Sequence, residues 1–361
     1  MKIDRLIISH LRNVSAAELT LCPGLNGLSG ANGAGKTSVL EAVYLLGYGH
    51  SFRKGGRDVI VQDGSDRATV FAEIRVDHGR AVRRIGIERS RDGWRGKLDG
   101  VDVSTLSDLF RLAPVCCFDP GSHALMSGPS EDRRALLDWG LFHVEHHFLG
   151  RWRRYQRALK QRNALLRTNG ADAWFDPWEQ EMAEAATELE RMRRVYVDAL
   201  QEQVATVAGK LCPELGRAEV VFKDGWKDLT VDDLISRCAG WRTERIRDRE
   251  RGFTRRGPHR ADWRIRFASL GNVDHYSRGQ AKLAALCLLL AQVLHHRAVL
   301  GVPPIVLLDD LPAELDGTHQ ARVIEFLRNQ DAQVLVTGTG DLPADRLFHV
   351  EHGVVRCLDA T

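Results

Sequence analysis

Long apolar runs are scarce in this chain. The N-terminus has no stretch of signal-peptide length, because Lys2, Asp4 and Arg5 interrupt it. The most apolar segment, Leu283 to Leu294, is too short to span a bilayer and reads as a buried helix. No CxxC pair occurs among the seven cysteines, at 22, 116, 117, 212, 238, 287 and 357. Their odd number and spacing fit no zinc site, so free thiols in a reducing cytoplasm are expected. Charge of one sign is not in excess either. The formal net charge is +3, which neither demands nor excludes a nucleic-acid partner and leaves the decision to local distribution. Long repeats and low-complexity segments are absent. What remains is an ordinary globular composition, 43% hydrophobic and 27% charged. Its 361 residues suffice for two or three domains and for a core that needs no metal or disulfide.

Along the chain the pattern changes twice. Up to about residue 120 it reads as strands and turns. Ile3 to Leu11 is an apolar strand and Ala17 to Leu21 alternates. Phe71 to Val76 and Arg83 to Arg89 read as antiparallel partners, and Asp99-Gly100 signals a tight hairpin. Pro114 to Phe118 reads as a buried strand. From about 128 to 215 glycine is rare, and two long helices are expected, about 130–168 and 176–210, broken at Asn169-Gly170 and Asp176-Pro177. The first carries Arg151, Arg153, Arg154, Arg157, Lys160, Arg162 and Arg167, and the second opens with Glu179, Glu181, Glu184 and Glu188. An antiparallel hairpin of helices would set these charges side by side. From about 252 the α/β pattern returns. Pro304 to Asp310 and Ala332 to Thr337 read as strands covered on both faces, and Phe348 to Val355 as a closing hairpin around His352-Gly353. The expected division is 1–125, 126–250 and 251–361, with the outer two segments forming one α/β body around a helical insertion.

Three motifs carry chemistry. Gly30-Ala31-Asn32-Gly33-Ala34-Gly35-Lys36-Thr37, followed by Ser38, matches G-x-x-x-x-G-K-[ST]. Its glycines let backbone N–H groups turn inward on phosphate oxygens, and the helix that follows adds its N-terminal dipole. Lys36 is placed to reach the β- and γ-phosphates of ATP and Thr37 to ligate Mg²⁺. Ile305 to Asp310 is a buried strand ending in two acids, with Asp309 the metal-side candidate and Asp310 a candidate to orient or activate water. Tyr276-Ser277-Arg278-Gly279-Gln280 leads into an apolar helix that Ser277 is suited to cap, a second anion site at a helix N-terminus.

Together these motifs resemble the ATP-binding-cassette ATPases and, within them, the SMC-like branch. More specific segments resemble the RecF family. They are Gly128-Pro129-Ser130 with Arg133-Arg134 and Leu137-Asp138; Thr254 with Gly257-Pro258-His259-Arg260 and Asp262; Ser277-Arg278-Gly279-Gln280; and Leu307 to Asp310 with Glu314-Leu315-Asp316. The resemblance implies an α/β, ABC/SMC-like P-loop ATPase head with a mixed sheet and an inserted helical lobe. It implies that Arg12 and Asn13 approach the nucleotide, and that Ser277 to Gln280 contact the γ-phosphate held by a second subunit. It also implies an ATP-dependent homodimer, weak ATP hydrolysis, binding to double-stranded and gapped DNA, and RecR, RecO and downstream RecA as partners, with no membrane. The chain departs from the family pattern at Asp119-Pro120-Gly121-Ser122, where Pro-Glu-Asp is usual, at Tyr276, and at Leu311-Pro312.

Other readings compete. A transporter ATPase subunit shares the three motifs but needs neither the helical insertion nor Gly257 to Arg260. A small-molecule P-loop kinase leaves Ser277 to Gln280 unexplained. An SMC-type nuclease partner should carry a nuclease subunit. Arg153, Arg154 and Arg157 are candidates for DNA contact, with pairing to the acidic helix as the alternative. The run Arg245, Arg247, Arg249 and Arg251 is interleaved with acids and reads as a salt-bridged face.

Overall fold

The computed structural model describes residues 1–53, 60–76, 79–168, 170–226, 233–271 and 275–358. It divides into two compact units. The first comprises Met1–His123, Gly209–Pro213 and Ser277–Thr361, and the second Ala124–Ala208 and Glu214–Tyr276.

The first unit opens with β1 (Lys2–Leu11), β2 (Val14–Thr20) and β3 (Leu25–Ser29), then α1 (Lys36–Tyr48). Strands β4 (Arg67–Val76), β5 (Ala81–Ser90), β6 (Gly93–Leu98) and β7 (Val101–Asp102) follow, then α2 (Leu106–Leu112) and β8 (Val115–Phe118). The antiparallel sheet runs in the order β2-β1-β4-β5-β6-β7. Its register pairs Phe71 with Gly86 and, across the Asp99-Gly100 turn, Leu98 with Val101, as the alternation and the turn dipeptide predict. One face of that sheet is apolar. Leu6, Ile8, Val70, Ala72 and Ile85 pack in one core with Val39, Leu40 and Val43 of α1.

The second unit holds α3 (Ala124–Ser127), α4 (Ser130–Val144), α5 (Phe148–Arg167), α6 (Asp176–Leu211), β9 (Ala218–Lys223), α7 (Leu234–Arg251) and β10 (Asp262–Phe267). The single helix expected over 130–168 is two helices. The chain turns extended at Glu145 (φ −118°, ψ 106°), in the stretch His143 to His147, where histidine and valine propagate a helix poorly. Asn169 of the expected break lies outside the described residues, while α6 begins at Asp176 as expected. Residues 251–276, read from sequence with the C-terminal α/β segment, cluster with the helices instead. The reason is long-range: β10 pairs antiparallel with β9, Trp263 opposite Phe222.

The chain then completes the first unit with α8 (Arg278–Leu300), β11 (Ile305–Leu308), α9 (Leu311–Glu314), α10 (Gly317–Arg328), β12 (Val334–Gly338), β13 (Arg346–Glu351) and β14 (Val354–Leu358). The second sheet runs β14-β13-β3-β12-β11-β8, parallel except for the β13–β14 hairpin. By length and apolarity α8 is able to cross a membrane, but 72% of its apolar window is buried inside the protein, which marks a core helix. Because β3, β12, β11 and β8 are parallel neighbours, their carboxyl ends share one edge of the sheet. Open α/β sheets bind ligands at that edge.

Candidate functional site

Four strand ends build one cleft of about 610 Å³. The loop 30–35 leaves β3 and enters α1 through Gly35, whose φ of 119° is a conformation that L side chains rarely adopt. Two hairpin tips hold this loop. Asn13 donates from Nδ2 to the Gly33 carbonyl at 3.1 Å and accepts from the Ser38 hydroxyl at 3.0 Å. Gly353 donates its N–H to the Ala34 carbonyl at 2.8 Å. Gly353 has φ 79°, and a Cβ there would stand 1.9 Å from the Asn13 carbonyl oxygen, so the approach requires glycine. Lys36 is buried, with Nζ donating to the carbonyls of Gly30 (2.7 Å) and Ala31 (2.9 Å).

Asp309 follows β11 and accepts at Oδ1 from two hydroxyls, Thr37 at 2.9 Å and Thr337 at 2.8 Å. Burial raises its pKa; the Thr337 and Thr37 hydrogen bonds and Arg53 oppose the rise, and Asp119 adds to it. Thr37 and Asp309 together offer the hard oxygens that a divalent cation takes. Asp310 caps α9 in the left-handed region (φ 53°), donates its N–H to Thr337 Oγ1 at 2.7 Å, and lines the same cleft.

Arg12 and Asn13 line the cleft, as do Asn32, Gly33, Gly35 and Ser38; Gly30, Ala31 and Ala34 complete the loop. Arg12 is clamped by Glu41, with Nε 2.9 Å and Nη2 2.7 Å from its carboxylate oxygens, and Arg53 lies 3.8 Å from the same group. Sequence reasoning did not single out Glu41 or Arg53. The available signal was that Glu41 is the one charge between Ser38 and Tyr48 in an otherwise apolar helix.

Ser277, Arg278, Gly279 and Gln280 are not among the residues lining this cleft. Ser277 caps α8 in a capping box: its hydroxyl accepts from Gln280 N at 3.2 Å, and Gln280 Oε1 accepts from Ser277 N at 2.9 Å. In the second unit Arg154 is engaged by Glu181 and Glu184, while Arg153 and Arg157 are exposed on α5, Arg157 4.0 Å from Glu181. Arg245 pairs with Asp176 and Glu179, and Arg249 with Asp172, the salt-bridged face expected of that run.

Comparison with known proteins decides the family. Residues 2–343 match the family described as the RecF/RecN/SMC N terminal domain. The chain is 45% identical to the DNA replication and repair protein RecF of Stenotrophomonas maltophilia, over 98% of this chain and 99% of that one. It is 46% identical to RecF of Xanthomonas axonopodis pv. citri, covering 98% of each. The chain belongs to the RecF family of DNA replication and repair proteins. Among solved structures, the recombination mediator RecF with ATP superposes with a TM-score of 0.89 at 22% identity, over 99% of this chain and 97% of that one. An Smc head bound to the C-winged helix domain of ScpA gives 0.62 at 15%, over 100% and 98%. These establish the SMC-like head fold.

Two of the segments that resemble the RecF family, Gly128 to Asp138 and Thr254 to Asp262, meet inside the second unit. Arg133 pairs with Asp262 at 2.6 Å and donates to the Gly128 carbonyl at 3.0 Å; Arg134 donates to the Ala261 carbonyl at 2.8 Å. Arg193 joins Asp138 (2.8 Å) to the Pro258 carbonyl (2.6 Å). His259 accepts from the Tyr155 hydroxyl at Nδ1 (2.7 Å) and donates from Nε2 to the Thr254 carbonyl (2.9 Å). In this RecF-family chain the Gly257-to-Arg260 segment is therefore a clasp between helices.

The clasp has a pH signature. Burial lowers the His259 pKa to about 3, against the hydrogen bond to Thr254 and with help from Arg260 and Arg134. A histidine with a depressed folded pKa favours the folded state above the unfolded pKa of about 6.5, and that stability is lost as pH falls below it. The second unit is expected to weaken by up to about 1.4 kcal/mol per pH unit between about 6.5 and 4. His259→Gln should flatten that slope in melting curves; an unchanged acid slope would show that His259 does not carry it.

Proposed function

We propose that this chain is an ATP-dependent DNA-binding protein of recombinational repair and replication. On this reading it acts in the cytoplasm on double-stranded and gapped DNA, and ATP closes two copies into a dimer. RecR and RecO are the partners and RecA loading the outcome. One observation carries the reading. Lys36, Thr37, Asp309 and Asp310, brought from sites more than 270 residues apart in sequence, converge in one cleft over a loop shaped for phosphate. A solved structural neighbour is RecF with ATP in the RecFOR pathway, which agrees with this reading.

In the proposed site Lys36 leaves the loop carbonyls for the β- and γ-phosphates. Asn13 holds the loop, and Arg12 approaches from the side of Glu41. Mg²⁺, when bound, neutralises phosphate charge and polarises the γ-phosphoryl group, with Thr37 and Asp309 as its protein ligands. Asp310 orients the attacking water and accepts its proton. Being shorter than glutamate it does so slowly, which suits a switch. Ser277 to Gln280 complete the partner's site. Each chain supplies one P-loop and one such helix, so a closed isologous dimer has two shared sites.

Ser277→Arg tests this. Ser277 is exposed, and losing a serine cap costs about 0.5–2 kcal/mol, so the chain stays folded. The bulky cation would occupy the γ-phosphate position across the interface. Sedimentation with ATP and Mg²⁺ should show a dimer for the wild type and for Ser277→Ala, and a monomer that still binds ATP for Ser277→Arg. A dimer that forms equally without nucleotide, or in the Ser277→Arg protein, contradicts the proposal.

A further inference from the structure

The end of α6 and the residues after it, Gly209–Pro213, cluster with the first unit. There Arg322 of α10 donates to the Leu211 carbonyl at 3.0 Å, and Lys210 lies over the Phe326 ring of the same helix. Cys212 follows, fully buried. It precedes Pro213, which stops the helix and restricts Cys212 to extended backbone. Cys287 lies in the middle of α8, between Leu286 and Leu288, and all three are fully buried. The Cys212 and Cys287 sulfurs are 3.4 Å apart, one thiol hydrogen-bonded to the other, although 75 positions separate them in sequence.

Buried cysteines serve elsewhere as small apolar side chains. Packing alone does not need two of them in sulfur contact, and the contact has a chemical consequence. Oxidation of a solitary buried thiol puts a sulfenic acid into an apolar core, and the next step, to sulfinic acid, buries a charge. A second thiol within reach intercepts the first product.

We propose that Cys212 and Cys287 form an oxidation site that closes to a disulfide when the chain meets a peroxide. One thiolate attacks the peroxide. The O–O bond breaks, the sulfur gives up two electrons and becomes a sulfenic acid, and the departing hydroxide takes the proton that the thiol released. The second sulfur then displaces the hydroxyl. The S–O bond breaks, the S–S bond forms, and water leaves with the second thiol's proton. Two thiols and one hydrogen peroxide thus give one disulfide and two waters. The sulfur contact is roughly 1.4 Å longer than the about 2.05 Å of a disulfide, so the closing step needs only a short approach. Burial makes the first step slow, because the peroxide enters only when the end of α6 opens locally. The same burial shields the finished bond from attacking thiols. The bond fastens the tail of α6 to α8, the helix that Ser277 caps.

The test exposes the full chain to hydrogen peroxide, alkylates the remaining thiols and maps the digest without reductant. Cys357, which is exposed, reports that the oxidant sufficed. The expected result is a linked pair of peptides carrying Cys212 and Cys287, lost on treatment with a phosphine. The oxidised protein should melt about 5 °C higher, because the bond closes a long loop of the unfolded chain. Cys212→Ala should show no such rise, and its Cys287 should go on to sulfinic acid. Recovery of Cys212 and Cys287 from the wild type as alkylated thiols or as sulfinic acids, with Cys357 fully oxidised, overturns the proposal. That mapping is made on the wild type, so it decides the matter whether or not the variant folds. No nucleotide is present, so neither outcome bears on the nucleotide reading.

Discussion

Arg162→Ala is expected to cost the second unit about 3–5 kcal/mol, enough to unfold it under mild heating. Arg162 is fully buried. Its guanidinium donates to Glu179 (3.0 Å), Asp248 (2.8 Å), the Thr254 hydroxyl (2.7 Å) and the Trp241 carbonyl (3.1 Å). It thereby ties α5 to α6, to α7 and to the segment leading into Gly257. Glu179 would retain Arg245, but Asp248 would keep only a weak bond from the Arg255 N–H at 3.2 Å. Burial already raises the Asp248 pKa and Arg162 opposes the rise, so truncation leaves a carboxylate with a still higher folded pKa. Such a group is tolerated when protonated and destabilises the fold as pH climbs above the unfolded value. The deficit should therefore be larger at pH 8 than at pH 5. Proteolysis and amide exchange should rise within Ala124–Ala208 and Glu214–Tyr276 while ATP binding is kept. A stable Arg162→Ala protein would show that the network is not what holds these helices.

Lys36→Ala is expected to weaken ATP binding about 10- to 100-fold, since a charge-assisted phosphate contact is worth roughly 1.5–3 kcal/mol. The loop should keep its shape, because Asn13 and Gly353, rather than Lys36, anchor its outer turns. The Lys36 amine donates to the carbonyls of Gly30 and Ala31. Exchanging these for phosphate oxygens brings opposite charges together, and alanine removes that gain. Melting in the absence of ATP should change little. Unchanged ATP affinity in folded Lys36→Ala would remove the basis for the phosphate site.

Local signals carried most of the first unit. The Asp99-Gly100 and His352-Gly353 turns, the two buried parallel strands and the P-loop consensus each act within a few residues, and each forms as read. What escaped depends on pairings between distant segments. Residues 251–276 join the helices because β10 finds β9 some forty residues earlier, which no local pattern encodes. Glu41 matters because folding delivers Arg12 to it, and Thr337 because β12 lies beside β11. The bend at Glu145 was hidden by helix-forming residues on both sides. The pentapeptide Phe142 to His146 shows how weak short patterns are: the same five residues form a helix end there and a strand and turn at Phe348 to His352. Of the three arginines singled out on α5, Arg154 has two acidic partners that only the packing of α5 against α6 reveals.

The central claim, that the cleft gates DNA binding through ATP, is tested most directly by measuring affinity for gapped DNA at several salt concentrations with ATP, with ADP and without nucleotide. The wild type is expected to bind most tightly with ATP, and its affinity should fall steeply with salt, by a log–log slope of about −0.9 for each duplex phosphate neutralised. Lys36→Ala should show the same weak binding in all three conditions at ATP concentrations that saturate the wild type. Equal affinity of the wild type with ATP, with ADP and without nucleotide, or an ATP enhancement that survives Lys36→Ala, would contradict the account.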